Sequence, residues 1–106
     1  MPEFETSLDT QWGTGNPTSA TPVSLIAADS SSRHEIRTID LGNVHTAVAE
    51  VTLTDGTTTL VIGLGIGQGR TIKPAGWKTA RNAALTAALG ATGTVRVNVE
   101  YTKVPS

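Results

Sequence analysis

The chain has no cysteine, so disulfides and thiolate metal sites are excluded, and redox chemistry assigns it no compartment. Aromatics are nearly as scarce: Phe4, Trp12, Trp77 and Tyr101 are the full set apart from two histidines. Any core must therefore be built from Val, Ile, Leu and Ala. Charge is thin as well, at 16% of residues, against about 25% in an average soluble domain. Low charge with abundant Thr, Gly and Ala fits a chain much of whose surface meets other protein. The longest apolar runs, Leu60 to Ile62 and Ala83 to Leu85, are far too short to span a bilayer, so no membrane is expected. The opening Met-Pro-Glu-Phe-Glu is acidic and lacks the apolar stretch of a signal peptide. The 106 residues leave room for one domain with one modest core.

What charge there is lies unevenly. Residues 1–55 hold eight acids against only Arg33 and Arg37, whereas residues 56–99 hold Arg70, Lys73, Lys78, Arg81 and Arg96 with no acid. If folding keeps these apart, contacts between copies become electrostatically favourable.

Residues 1–22 read as an arm and linker outside the core. Gly13-Thr-Gly-Asn-Pro-Thr-Ser-Ala-Thr-Pro22 looks flexible and Pro-punctuated. Ahead of it Phe4, Leu8 and Trp12 recur every four residues, which places three apolar groups on one face of a short helix. So short a helix needs a partner surface; the other reading is a disordered tail or tag. The domain is expected over 23–106 and to fold without the arm.

From Val23 the pattern is that of strands. Val23 to Ala28 is a short strand, Asp29 to Ser32 a turn, and Arg33 to Leu41 a strand with a bulge that breaks its alternation. Gly42-Asn43 marks a turn. Ala47, Ala49, Val51 and Leu53 alternate with polar partners and run into Asp55-Gly56, a hairpin signal, with Thr57 to Ile62 as the return strand. Gly63 to Gly69 alternates glycine with larger residues, but no register yields a phosphate-binding G-x-G-x-x-G or a Walker pattern, so it reads as a bend. Thr71-Ile72 is a short strand ending in a turn at Lys73 to Gly76. Asn82 to Ala91 has helix propensity in its alanines, yet Leu85, Ala87 and Leu89 alternate, and the strand reading is favoured because the next segment pairs with it. Val95, Val97, Val99 and Tyr101 form the clearest strand, and Lys103 to Ser106 a short tail. Turn signals every 8–12 residues predict an antiparallel β-sandwich, jelly-roll-like, of seven to eight strands.

Chemistry is not evident in this sequence. Nucleophilic catalysis needs a Ser, Thr or Cys beside a base that a third group orients. His34, between Arg33 and Glu35, and His45, beside a turn, both read as solvent-facing. No H-x-x-x-H or clustered carboxylate spacing provides a metal site, so no cofactor is expected. The one unusual cluster is Arg70, Lys73, Lys78 and Arg81 around Trp77, half of the eight basic residues within twelve positions. It reads either as a docking patch for an acidic surface or as a solvated loop whose Trp covers one end of the core. Nucleic acid, with Trp77 as a stacking platform, suits a net charge of −1 poorly.

The order of these elements resembles a known group. Arg33-x-x-Ile36-x-x-Ile39-x-x-x-Asn43 precedes the Val51/Leu53 strand and its Asp55-Gly56 hairpin. Gly69-x-Thr71-Ile-Lys-Pro-x-Gly76, Asn82-Ala-x-Leu85-Thr-Ala and Gly93-x-Val95-x-Val97-x-Val99-Glu-Tyr101 follow. Over 23–104 this is similar to the small β-sandwich structural proteins of tailed-bacteriophage virions, which include capsid decoration (cement) proteins and head or tail accessories. The alanine-rich Asn82 to Ala88 departs from that pattern, which tends to carry Gly and Asp at a turn. The resemblance implies a non-enzymatic virion protein, assembled in the host cytoplasm. It implies binding to the major capsid protein or other virion proteins in many copies, often as trimers. The expected partner-binding residues are Phe4, Leu8 and Trp12 of the arm, with Arg70, Lys73, Trp77, Lys78 and Arg81 of the basic segment. A phage tail or neck component and a small carbohydrate-binding module are the alternatives.

Overall fold

The computed structural model describes residues 10–105, and among them every regular element is a strand. In chain order these are β1 (Thr10–Gly15), β2 (Val23–Ile26), β3 (Ser32–Asn43), β4 (Ala49–Thr54), β5 (Thr59–Leu64), β6 (Gly69–Ile72), β7 (Leu85–Leu89) and β8 (Val95–Pro105). They form two antiparallel sheets, a first with the order β1-β8-β3-β6 and a second with the order β2-β7-β4-β5. The β-sandwich expected from the sequence is the fold.

The pairs β1·β8, β2·β7, β3·β6 and β4·β5 nest symmetrically around the loop that joins β4 to β5. The chain is in effect one long ribbon folded over on itself. Pairing of β3 with β8 and of β4 with β7 then closes the two sheets. This is the strand order of an eight-stranded jelly roll.

Period-2 alternation supplies the core. On β8, Val95, Val97 and Val99 are buried, and β3 sets Leu41 and Ile39 opposite Val97 and Val99. A register shift between Ile36 and Thr38 lets Ile36 and Ile39 both face inward, which is the broken period seen in the sequence. In the second sheet Val51 and Leu53 are fully buried beside Leu89 and Ala87. Each such aliphatic side chain contributes about 1.5–3 kcal/mol through burial. Among the described Trp and Tyr residues Tyr101 is the buried one, and Trp77 packs on the margin of the cluster.

Several expectations need correction. Residues 10–15 are strand β1, hydrogen-bonded along β8, so Trp12 lies on a strand and not on a helix. Phe4 and Leu8 lie outside the described residues. The segment after β1 is no linker. Pro17 is fully buried, and the carbonyls of Pro17, Thr18 and Ser19 accept the amides of Val95, Gly93 and Leu89. Residues 10–22 therefore belong to the sandwich. The glycines that read as flexibility are close-approach positions: a Cβ on Gly13 would stand 2.9 Å from Ile26 Cγ1, and the Leu25 carbonyl oxygen is nearer still.

Gly42-Asn43 continues β3 and makes no turn there. Asn43 is buried, and its amide donates to the carbonyls of Ala47 (2.8 Å) and Gly65 (3.0 Å), tying two loops together. The β4–β5 connection holds four residues, because Thr54 pairs with Thr59, so the return strand runs from 59 to 64. Lys103 to Pro105 is no tail but the last part of β8, paired with Ser32 to His34.

Candidate interaction surfaces

The basic segment divides. Arg70 lies on β6 opposite Leu41, and its guanidinium donates to the Gly63 carbonyl of β5, bridging the open edge between the sheets. Lys73, Trp77, Lys78 and Arg81 occupy the long β6–β7 loop, which leaves β6 after Ile72, opposite Ile39, and whose 77–80 part lies at the other end of the sandwich. That loop turns at Gly76 (φ 74°) and returns to β3. There the Ile36 amide donates to the Trp77 carbonyl (2.8 Å), the Thr79 amide to the His34 carbonyl (2.9 Å), and Glu35 bridges Lys78. The first sheet is thus lengthened along β3 by a short stretch of loop.

Two residues that sequence reasoning did not single out hold this loop. The Arg33 Nε donates to the Thr79 carbonyl at 2.7 Å. Asp55, buried at the β4–β5 tip, accepts the amides of Thr57 (2.9 Å), Thr58 (2.7 Å) and Ala80 (2.7 Å). Burial raises its carboxyl pKa, but the amides of Thr58, Thr57 and Ala80 outweigh that and hold it below the ordinary value. A hairpin Asp carries a sequence signal for the turn; nothing local in sequence reports its bond to Ala80, 25 positions away.

Trp77 is half-buried against the core, so it covers the end of the sandwich and offers no open stacking platform. Lys73, Lys78 and Arg81 are exposed. Among the described residues the ion pairs are Arg37 with Glu35 (3.4 Å) and Lys103 with Asp29 (3.1 Å), and none involves these three cations. Asp29 also accepts from the amide and hydroxyl of Ser31 and the hydroxyl of Ser32, and these bonds hold its carboxyl well below the usual range.

His34 does not face solvent. Its side chain lies inside the sandwich, 2% exposed, edge-on to Tyr101 with ring centroids 5.1 Å apart. The reason is register: opposite Thr79, which is fully buried, His34 falls on the inward face of β3. Burial pushes its pKa below 6.5, helped by the Lys103 charge and opposed by Asp29. Between the lowered folded value and 6.5 the unfolded chain binds more protons, so stability is lost as pH is lowered through that window. The urea midpoint is expected to drop as pH is lowered from 7.5 past 6.5, and a His34→Gln variant should lose that part of the slope. A wild-type midpoint that is flat from 7.5 to 5 would contradict a buried neutral imidazole.

The two sheets present different outer faces. On the first, Trp12 is 52% exposed, next to Glu100 across the β1–β8 pair. Glu35, Asp40, Glu100 and Arg96 make this face charged. On the second, Thr52, Thr86 and Ala88 point outward between buried neighbours, Ser24 and Val61 are exposed on the same alternation, and Glu50 is the one charge on its strands. At the end opposite the basic loop, a groove of about 560 Å³ runs between Val48, Glu50, Leu64 and the Gly90–Gly93 turn. Val48, which lines it, is exposed, as are Val44 and Ile66 elsewhere in the β3–β4 and β5–β6 loops.

No group of three metal-ligating side chains occurs among the described residues, and they hold no helix long and apolar enough to cross a membrane. No protein-family model matches the chain, and no curated protein matches it.

Proposed function

We propose that this chain is a non-enzymatic structural protein of a tailed-phage virion, one that decorates or cements the capsid by binding neighbouring capsid proteins. The observation that carries the reading is the nested eight-strand order, an architecture that recurs in viral capsid proteins. The surfaces support the same reading. A second sheet with a single charge on the outer face of its strands can lie against protein with little desolvation of ions. The exposed Lys73, Lys78 and Arg81 add an electrostatic contact, and many copies on one shell multiply weak contacts by avidity.

Replacing Lys73, Lys78 and Arg81 together by Ser is expected to cost less than about 1 kcal/mol of stability per exposed charge. It should reduce the occupancy of the chain on particles and flatten the salt dependence of binding. Urea titration checks the first result. Electron microscopy and mass spectrometry of purified particles across a salt series check the second. Unchanged occupancy at every salt level would assign the three cations to solvent.

One observation favours a second reading, a carbohydrate-binding module: Trp12 offers an exposed indole on a sheet face, and jelly rolls also serve as lectin domains. A chain absent from purified particles that binds an oligosaccharide, and loses it on Trp12→Ala, would replace the virion reading with this one.

A further inference from the structure

From Trp77 to Thr79 the β6–β7 loop runs beside β3 with the alternating faces of a strand. Thr79 is fully buried and Trp77 packs on the core, while Lys78 between them is exposed. His34 therefore stands in a row of three, with Lys103 of β8 on one side and Thr79 of the loop on the other. Two bonds fix the loop side of that row: the Thr79 amide donates to the His34 carbonyl, and the His34 amide donates to the Thr79 hydroxyl at 3.1 Å. Among the described residues, His34 Nδ1 and Trp77 Nε1 are buried with no hydrogen-bond partner.

The charges around the imidazole leave it no counter-ion. From β8, Lys103 adds a charge of the same sign as an imidazolium, and Asp29 is taken up by Lys103 (3.1 Å) and by the hydroxyls of Ser31 and Ser32. On β3, the Arg33 guanidinium is bound to the Thr79 carbonyl, and Glu35 alternates to the outer face, where it pairs with Arg37. The second sheet brings Asp55, whose carboxylate already accepts the amides of Thr57, Thr58 and Ala80. The loop itself brings Lys78 and Arg81 but no acid, and the Tyr101 ring covers the imidazole edge-on. A protonated His34 would thus hold a buried N–H without an acceptor and a charge without a partner, and both are costly.

We propose that His34 is a pH-operated latch: its protonation frees the 77–81 stretch of the loop from β3 and uncovers Trp77, while the sandwich stays folded. The loop is the weakest wall around the imidazole. It is tied by the Ile36–Trp77, Thr79–His34 and Arg33–Thr79 bonds along β3 and by the Ala80–Asp55 bond at the hairpin tip, and every one of these groups gains water when the loop lifts. Reaching the imidazole from the other side would separate β3 from β8, a pairing of eleven positions. The carboxylates do not trigger the opening in mild acid, because Asp29 and Asp55 are both held below their ordinary values. In the closed form burial keeps the imidazole neutral below 6.5. It takes its proton as the loop opens, so the open population rises by up to about tenfold per pH unit. This inference concerns the loop alone and does not depend on what the chain binds.

The test uses the full chain carrying Trp12→Phe, which leaves Trp77 as its one tryptophan. Emission, acrylamide quenching and far-UV circular dichroism are followed from about pH 7.5 to about pH 5, the range in which a histidine titrates. Trp77 emission should move to the red and its quenching rise as pH is lowered, with the dichroism unchanged. His34→Gln should remove this transition, whereas Arg33→Gln, which loses a tie to the loop, should move it to higher pH. His45 lies against Gly93, at the far end of the sandwich, and remains in every variant. Constant emission, a red shift that coincides with loss of the dichroism, or a transition that survives His34→Gln overturns the proposal. If His34→Gln opens the loop at every pH or fails to fold, Arg33→Gln decides, and an unchanged midpoint there overturns it equally.

Discussion

Deleting residues 1–22 is expected to unfold the protein, whereas deleting residues 1–9 should leave its β circular dichroism intact. Strand β1 supplies the sole partner on one side of β8, covering Val97, Val99 and Tyr101 from the edge. It also closes that side of the sandwich against Leu25 and Ile26 of β2. Beyond it, buried Pro17 and the carbonyls of residues 17–19 satisfy three amides of the β7–β8 region. Partial exposure of five aliphatic or aromatic residues costs on the order of 5–10 kcal/mol, since full exposure costs about 1.5–3 kcal/mol each. Unpaired buried amides add about 1–3 kcal/mol each. A domain stable by about 5–15 kcal/mol does not survive that loss. Far-UV circular dichroism of the two truncations is the measurement. A chain beginning at residue 23 with a wild-type urea midpoint would return residues 10–22 to the status of a linker.

Gly13→Val is expected to cost about 3 kcal/mol, at the upper end of what overpacking a core does. The contact decides the size of the effect. At Gly13 the added Cβ runs into the Leu25 backbone, with the carbonyl carbon at 3.0 Å, and backbone cannot step aside. At Gly15 the nearest atom is Leu25 Cδ2 at 2.7 Å, the end of a side chain that can change rotamer, so Gly15→Ala should cost less. Gly63 provides the control: it lies on β5 with nothing within 4 Å of its Cβ position, and Gly63→Ala should be within about 1 kcal/mol of wild type. Urea midpoints of the three variants test the order. Equal costs at Gly13 and Gly63 would mean that β1 does not pack on β2 as described.

Most of the strands were legible because their signal is local. Val95 to Tyr101 and Ala49 to Leu53 alternate so regularly that burial of one face follows from period 2 alone. The bulge in β3 could be read from the three-residue step between Ile36 and Ile39. Leu85 to Leu89 is a strand despite its alanines, as its alternation indicates, yet it does not pair with the Val95 to Tyr101 segment as expected: β7 lies between β2 and β4 in the second sheet, and β8 between β1 and β3 in the first. Strand ends were read less well. Gly42 and Asn43 have turn propensity, yet they lie in β3, where Asn43 satisfies its side chain with the carbonyls of Ala47 and Gly65.

The surfaces were legible in kind and not in position. Sequence located a basic cluster around Trp77, but it could not divide Arg70 from the other three. Only the pairing of β6 with β3 and the return of the loop at Lys78 place them at different ends. It set His34 in solvent because both sequence neighbours are charged; the inward face at Thr79 is a matter of long-range register. The glycines of β1 had no local signature at all, since Gly-x-Gly serves a flexible linker and a close sheet-to-sheet approach equally well.

By itself, then, the sequence determined an aliphatic, antiparallel all-β sandwich without thiol chemistry, because composition and two-residue periodicity are properties of the chain alone. Only the tertiary structure decided which strands are neighbours and that residues 10–22 complete the sandwich. Those facts depend on contacts between residues ninety or more positions apart, such as the Tyr101 hydroxyl on Gln11 and the pairing of Thr10 with Thr102, and no local pattern records them.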